Sequence, residues 1–129
     1  MGAWGEGQAA EFLAEQGYII LDRNARTSHG EIDLVALAPN IPSAQGSDQV
    51  ATENRIVVFI EVKTRRSTRY GFPEDSITER KREHILAAIK AYIQTHPELP
   101  GTWRIDVISV QKSRSNELPS FTHFENAFS

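Results

Sequence analysis

The sequence contains no cysteine. A disulfide framework, thiolate chemistry and a cysteine-ligated zinc ribbon are therefore excluded. The sequence also lacks any apolar run that approaches the ~20 residues needed to span a membrane. Its first basic residue is Arg23, which follows Glu6, Glu11 and Glu15. Because a secretory signal opens with basic and then apolar residues, we expect no signal here and a cytoplasmic location.

Positive charge is scarce overall but concentrated in one stretch. The net charge is −3 and the pI about 5.8, which argues against a general nucleic-acid coat protein. Residues 63–82 nevertheless hold seven of the fourteen basic residues and only three acidic ones, a local charge of +4. Such a run is usually a solvated surface. Beside an acidic site, it would instead suit contacts to a phosphate backbone.

Length and hydrophobic content predict a single domain over residues 1–129, with 40% hydrophobic and 24% charged residues. Periodicity and turn residues predict its elements. They are a helix over 4–16, strands over 18–26, 30–37 and 55–64, a helix from Ser76 or Thr78 to about Thr95, a strand over 102–110 and an edge strand over 121–124. Residues 38–54 are predicted to form a mobile loop. The fold class is α/β, with helices flanking a mixed central sheet.

Residues 55–64 carry the first functional signal. Five consecutive apolar residues, 56–60, are all β-branched or aromatic, which predicts a strand buried on both faces. Glu61 and Lys63 follow, and because they are two positions apart they project from the face shared with Val57 and Phe59. Taken alone, this pair indicates a simple ion pair at the end of a core strand.

A second acidic position changes that interpretation. Asp33 lies in the middle of strand 30–37, and the alternation predicts that Ile32, Leu34 and Ala36 share the opposite face. If the two acidic strands are neighbours, Asp33 and Glu61 converge with Lys63 beside them.

Two carboxylates and an ammonium group are suited to Mg²⁺-assisted phosphodiester hydrolysis. The cation takes oxygen ligands and activates water, while the lysine neutralises developing charge. We therefore predict that Asp33 and Glu61 bind one Mg²⁺, for which Mn²⁺ can substitute. The carbonyl of Val62 is predicted as a third protein ligand.

Asp33 followed by Glu61-Val62-Lys63 resembles the D…ExK signature of the PD-(D/E)xK nuclease superfamily. The chain resembles more closely the YraN family of bacterial endonuclease-like proteins, which are similar to archaeal Holliday-junction resolvases. The matching residues are Gly5-Glu6, Gly17-Tyr18, Asn24-Ala25-Arg26, Gly30-Glu31-Ile32-Asp33-Leu34, Phe59-Ile60-Glu61-Val62-Lys63-Thr64-Arg65, Gly71-Phe72-Pro73, Lys81 and Arg104-Ile105-Asp106-Val107. They extend over nearly the whole chain.

The resemblance implies a restriction-endonuclease-like core of order αβββαβ. It implies catalytic roles for Asp33, Glu61 and Lys63, and it adds Glu6 as an outer metal ligand or water holder. It also implies DNA as a partner, with branched DNA among the candidates, bound by a monomer or a homodimer. Residues 38–54 depart from the family pattern, in which a short turn usually makes this connection.

Other residues are weaker candidates. Arg26, Arg65 and Lys81 fit solvated side chains and nucleic-acid contacts equally well. Arg66 and Arg69 complete the set that is predicted to bind nucleic acid. Glu31 is a second-tier site candidate that could equally cap or form a salt bridge. The four histidines show no ligand spacing, which predicts that they are bystanders. Arg104 and Asp106 share a strand face and are expected to pair with each other.

Two functions of different classes follow. One is a metal-dependent endonuclease that hydrolyses phosphodiester bonds in branched or damaged DNA. The other is a binding module for nucleic acid or protein that keeps the nuclease fold without useful catalysis. The joint presence of Asp33, Glu61 and Lys63 favours the enzyme, whereas the acidic pI keeps the binding module open.

Overall fold

The structure, a computed structural model, describes residues 2–39, 55–65, 78–112 and 118–127. Their elements, in chain order, are α1 (Gly2–Glu15), β1 (Ile19–Thr27), β2 (Gly30–Leu37), β3 (Val57–Arg65), α2 (Glu79–Thr95), β4 (Trp103–Gln111) and β5 (Ser120–Phe124). This confirms the predicted order and places the final strand at the sheet edge. Most of the loop predicted over 38–54 lies outside the described residues.

The five strands form one mixed sheet in the order β1-β2-β3-β4-β5. Neighbouring strands are antiparallel except for β3 and β4, which run parallel from Val57↔Trp103 to Arg65↔Gln111. Parallel neighbours need a crossover connection, because no tight turn can return the chain to the same end of the sheet. Helix α2 lies within that connection.

The two helices cover opposite faces of the sheet. Helix α1 buries Ala9, Ala10 and Leu13 in a cluster with side chains from β2, β3 and β4. Helix α2 buries Ala88, Ile89 and Tyr92 in a second cluster on the other face. The fold is thus a single small α/β domain in three layers, consistent with a restriction-endonuclease-like core.

Helix α2 begins and ends with clear local signals. The Thr78 side chain is the N-cap and accepts a hydrogen bond from the amide of Lys81 at 3.1 Å. The alternative cap, Ser76, lies outside the described residues. His96 is the C-cap and precedes Pro97, where the helix was predicted to end. Among the described residues, no helix combines the length and apolarity needed to cross a membrane.

One detail of the predicted sheet is wrong. Ile32 was assigned to the face of Leu34 and Ala36, but Ile32 packs in the α2 cluster while the other two pack in the α1 cluster. Strict alternation would place residues 32 and 34 on the same face. The alternation therefore breaks at Asp33, between these two residues, and this position is the candidate site.

Helix α1 ends at a glycine in the left-handed region. Gly17 has a φ of 96°, and its amide donates to the carbonyl of Ala14 at 3.1 Å. The Tyr18 amide then donates to Leu13 at 3.0 Å. A Cβ atom at Gly17 would also lie 3.3 Å from the Cβ of Pro39. Both the backbone angle and the close contact therefore favour glycine.

Gly17→Ala should lower the free energy of unfolding by about 1–2 kcal/mol, because an L-residue is strained in the left-handed region. Chemical denaturation measures the change. Gly101→Ala is the control, since Gly101 lacks a positive φ and a Cβ there would meet no atom within 4 Å. Equal effects of the two substitutions would contradict this account of the helix end.

Candidate functional site

The candidate site lies where the sheet divides between β2 and β3. Pairing of these strands runs from Leu37↔Val57 to Leu34↔Ile60 and stops there. Strand β3 continues beside β4 to Arg65. Beyond Leu34, the Oδ2 atom of Asp33 accepts a hydrogen bond from the amide of Val62 at 2.8 Å. The Asp33 carboxylate thus accepts the hydrogen bond of a backbone amide on β3 that no longer pairs with the backbone of β2.

Glu6 of α1 joins Asp33 at this position. The charge of Asp33 raises the pKa of the Glu6 carboxyl group, and the side chain of Asn24 on β1 lowers it. Glu6 is only 9% exposed, although a helical glutamate is usually solvated. The structure therefore brings together two of the predicted residues and adds Asn24, which sequence reasoning had not counted as a site residue.

A close approach of α1 to β3 places Glu6 there. Gly5 is buried, and a Cβ atom at this position would overlap the hydroxyl group of Thr64 and lie 3.3 Å from its Cβ. Only glycine allows the helix to come so near the strand. Thr64 was not predicted to matter, because its contact with α1 depends on tertiary packing.

Glu61 and Lys63 lie one and three residues beyond the point where β2 departs. Lys63 Nζ lies 3.4 Å from Glu61 Oε1, and the side chains are 21% and 24% exposed. Lys81, in the first turn of α2, adds its positive charge to the environment of Glu61. The expected ion pair is therefore present, and it stands beside the Asp33 carboxylate.

Burial raises the pKa of all three carboxyl groups, and repulsion by a neighbouring carboxylate adds to the effect of burial on each. For Glu6, desolvation is the largest cause and the charge of Asp33 the next. Desolvation raises the pKa of Asp33 despite the hydrogen bond from Val62. The pKa of Glu61 is raised by desolvation and by Asp33, which together outweigh Lys63. Desolvation therefore disfavours the ionised form of each group more than the nearby cations and hydrogen bonds favour it.

Metal binding by this set stays a prediction. Within the described ranges, no three His, Cys, Asp or Glu side chains are grouped as a metal site. Asp33 interacts electrostatically with Glu6 of α1, whereas Glu61 follows the face of Phe59, which packs with α2. A shared cation would sit in the gap between the strands. The donors are all oxygen atoms, which Mg²⁺ prefers.

The predicted basic residues lie at several places. Arg26 is exposed on β1 opposite Glu31 and lies beside a cavity that Asp22 and Tyr92 also line. Arg65 ends β3. Lys81 is exposed at the start of α2. Arg66 and Arg69 fall outside the described residues. Among the described members of this set, Lys81 contributes its charge to the environment of Glu61.

Glu31 has a modest place in the site. It lies two residues before Asp33 on β2, and its charge contributes to raising the pKa values of Glu6 and Asp33. It is exposed and stands opposite Arg26 in the register. Glu31 is therefore an electrostatic neighbour of the site, in keeping with its place as a second-tier candidate.

A separate buried network surrounds Asp106. The expected pair is present, with Arg104 Nε 3.0 Å from Asp106 Oδ1. His123 Nε2 lies 2.7 Å from Oδ2, and the amide of Asn126 donates to Oδ1 at 2.9 Å. His123, expected to be a bystander, thus ties β5 to β4. Burial alone would raise the pKa of Asp106, but these partners outweigh it and lower the pKa.

The geometry can be compared with known proteins. The profile of one family, described as uncharacterised protein family UPF0102, matches residues 5–110. The chain belongs to this family, which is the YraN family of the sequence resemblance. The match includes Glu6, Asp33, Glu61 and Lys63, so every carboxyl group of the candidate site lies within the part of the chain shared with the family.

Relatives in the family are similar over almost the whole chain. A UPF0102 protein of Caldicellulosiruptor saccharolyticus is 34% identical over 128 residues, covering 99% of this chain and 96% of that protein. One from Syntrophomonas wolfei is 37% identical over 132 residues, with coverage of 99% and 96%. One from Trichlorobacter lovleyi is 39% identical over 128 residues, with coverage of 99% and 89%. These names give a family and no activity.

Asp33→Asn should make the metal-free protein more stable at pH 7. Burial raises the pKa of this carboxyl group in the folded chain. Its contribution to the free energy of unfolding is therefore fully present only below the pKa of the unfolded chain, which is near 4. That contribution is lost as pH rises through the raised folded pKa. The asparagine keeps an acceptor for the Val62 amide but removes the charge beside Glu6 and Glu61.

Chemical denaturation in the presence of EDTA at pH 7 and pH 4 measures this effect. The gain at pH 7 should shrink at pH 4, where the wild-type carboxyl groups take up protons. Glu11→Gln on the exposed side of α1 is the control and should change little at either pH. A loss of stability in Asp33→Asn at pH 7 would show that the Asp33 charge is compensated.

Proposed function

We propose that this chain is a Mg²⁺-dependent DNA endonuclease that hydrolyses phosphodiester bonds. The observation that carries the proposal is the division of the sheet at Asp33. There a carboxylate bonded to the Val62 amide stands beside the Glu61–Lys63 ion pair. Helix α1 adds Glu6 to the same place. Acidic oxygen ligands next to a lysine are what metal-assisted phosphoryl transfer to water requires.

The cation would be held by Asp33 and Glu61, with the Val62 carbonyl as the further protein ligand. When bound, Mg²⁺ or Mn²⁺ supplies polarisation of the phosphate and lowers the pKa of bound water. Glu6 is buried and interacts electrostatically with Asp33, and from this position it can orient a ligand or hold a water molecule. A bound cation would favour the ionised form of these carboxyl groups, which burial disfavours.

Lys63 supplies the positive charge that stabilises the transition state of the reaction. Its ammonium group pairs with Glu61, so it is fixed next to the carboxylates rather than free in solvent. In that position it stabilises the charge that builds up on the phosphate oxygens, and it can orient the attacking water. The ion pair itself keeps the ammonium group in place before DNA binds.

Cationic side chains around the site would bind the DNA backbone. Lys81 is exposed and adjoins Glu61 electrostatically, which makes it the first candidate for a phosphate contact. Arg26, Arg65, Arg66 and Arg69 extend the set in the sequence. Branched or damaged DNA is the proposed substrate, bound by a monomer or homodimer in the cytoplasm.

Lys63→Ala should reduce cleavage of branched or flap DNA by about 10²–10³-fold, since that is the typical cost of removing one positioned charge-stabilising donor. DNA binding should fall much less, because other cations contact the backbone. Purified protein with Mg²⁺ or Mn²⁺ and linear, flap and four-way substrates measures both quantities. Lys90→Ala is the control, as it removes the same charge from an exposed position on α2.

Two outcomes would contradict the proposal in different ways. Wild-type protein that binds these DNAs without cutting any of them would favour the binding module. If the wild type cuts these DNAs and Lys63→Ala cuts them equally fast, the lysine has a structural role and takes no part in the reaction. Reduced cleavage in Lys63→Ala with normal cleavage in Lys90→Ala is the result that the enzyme predicts.

A further inference from the structure

Trp4 is an exposed aromatic residue near the start of α1. Its ring belongs to neither of the two core clusters, and the residue is 36% exposed. Burial of so large an apolar ring would normally stabilise a small domain. The other large exposed hydrophobic residues that the structure describes are aliphatic: Ile19, Leu21 and Leu118. Core packing therefore does not account for the position of the Trp4 ring.

A cation lies over this ring. The Nζ atom of Lys112 is 5.4 Å from the ring centroid of Trp4, which is within the ~6 Å range of a cation–π contact. The backbone amide of Lys112 donates to the carbonyl of Arg65 at 2.8 Å, so the residue is attached to the end of β3. An aromatic ring beside a cation can contact the base and the phosphate of a nucleotide together.

Trp4 also lines a cavity between α1 and β1. The cavity has a volume of about 470 Å³, and its wall includes Gln8 and Glu11 of the helix and Ile20 and Arg23 of the strand. Volumes of about 300–1,000 Å³ are typical of pockets that hold small organic molecules. The space beside the Trp4 ring is therefore large enough for a nucleotide base.

Arg23 brings a second cation to this cavity. One terminal nitrogen of its guanidinium group would lie 3.3 Å from a Cβ atom at Gly7, so the group lies against the helix one turn after Trp4. Among the described residues, the cavity wall and Lys112 together hold two cations against the single carboxylate of Glu11. This excess of positive charge is complementary to phosphate.

The surface formed by Trp4, Lys112, Arg23 and the cavity is called the Trp4 surface below. It adjoins the candidate site along two elements. Trp4 lies two residues before Glu6 on α1, and Arg23 pairs with Leu34, the residue after Asp33. DNA whose scissile phosphate lies at the candidate site can therefore extend an arm over α1.

Unpaired DNA is the form that fits an exposed ring. In a duplex the bases stack on one another, and extruding one of them costs free energy. In a single strand the base faces are accessible, and stacking on an aromatic side chain tolerates any sequence. Cations beside the ring then contact the adjoining phosphates.

We propose that Trp4 stacks on an unpaired base of a single-stranded DNA arm, while Lys112 and Arg23 contact the neighbouring phosphates. The choice of DNA and the position of the arm beside a cleavage site rest on the proposed function. Stacking on Trp4 requires neither a metal nor cleavage, so it can be tested separately.

Tryptophan fluorescence reports this contact directly, because Trp4 and Trp103 are the two tryptophans of the chain. Trp103→Phe leaves Trp4 as the fluorophore. In EDTA, a short single-stranded oligothymidine should quench its emission, whereas a blunt duplex of equal length should quench it much less. Trp4→Phe is the control, since its emission comes from Trp103 in the α2 cluster and should not change.

Binding affinity gives a second measurement, followed by fluorescence anisotropy of labelled flap DNA and blunt duplex in EDTA. Trp4→Ala should bind flap DNA about 5–150-fold more weakly, the range expected for the loss of one base–aromatic stack. Its affinity for blunt duplex should change little. Trp4→Phe keeps a smaller ring and should be intermediate. Leu118→Ala, which removes an apolar side chain that is 89% exposed, should have no effect.

The phosphate contact has its own test. Lys112→Gln should lower the slope of log affinity against log salt by about 0.7 for single-stranded DNA, since one phosphate contact is lost. Lys90→Gln, which removes an exposed cation from α2, should leave the slope unchanged.

The outcomes separate this inference from the proposed function. Trp4 quenching by the single strand, with a loss of flap affinity at position 4 and none in Leu118→Ala, supports the stacking role. Equal quenching by blunt duplex, or flap DNA bound as tightly by Trp4→Ala as by a wild type that cuts it, would overturn the stacking role and leave the nuclease standing. Quenching by the single strand in a protein that cuts no DNA would overturn the nuclease and leave the Trp4 surface standing.

Discussion

The hydrogen bond from the Val62 amide to Asp33 is the contact on which the site depends. A strand that leaves its neighbour exposes backbone donors, and a buried donor without a partner is costly. The Asp33 side chain accepts the hydrogen bond from the Val62 amide, with Oδ2 2.8 Å from the nitrogen. The sheet can therefore divide without an unsatisfied amide, and the gap between the strands is held open beside Glu61.

Two aspartates of this sheet show what separates a structural carboxylate from a candidate functional one. Asp106 is 0% exposed, yet Arg104, His123 and the Asn126 amide lower its pKa below the ordinary value. Desolvation raises the pKa of Asp33, and the hydrogen bond from the Val62 amide does not outweigh it. Stability alone would favour compensation of both charges. The uncompensated one lies in the gap between β2 and β3, where a cation and a phosphate could approach.

Much of the fold was predictable because its signals are local. The bounds of β2, 30–37, follow from a glycine at a turn and from alternating apolar residues. The end of α2 follows from Pro97, and Thr78 was one of the two predicted caps. The Glu61–Lys63 pair was predictable from its spacing of two residues along one strand.

The contacts that complete the site depend on tertiary geometry. The nearness of Glu6 to Asp33 came from family resemblance, since a glutamate on a helix is usually solvated, and its physical cause is the close approach of Gly5 to Thr64. The side on which Ile32 packs was predicted wrongly, because alternation breaks at Asp33. The position of Asn24 opposite Asp33 depends on a register shift, for which the sequence carries only the weak signal of an asparagine inside a strand.

Mn²⁺ binding followed by electron paramagnetic resonance tests the central claim most directly, because it counts bound cations without requiring DNA or cleavage. The account predicts one site per chain in the wild type, lost in Asp33→Asn and retained in Glu83→Gln, which removes an exposed carboxylate from α2. Mn²⁺ bound equally by wild type and Asp33→Asn, or by neither, would contradict a metal site between β2 and β3.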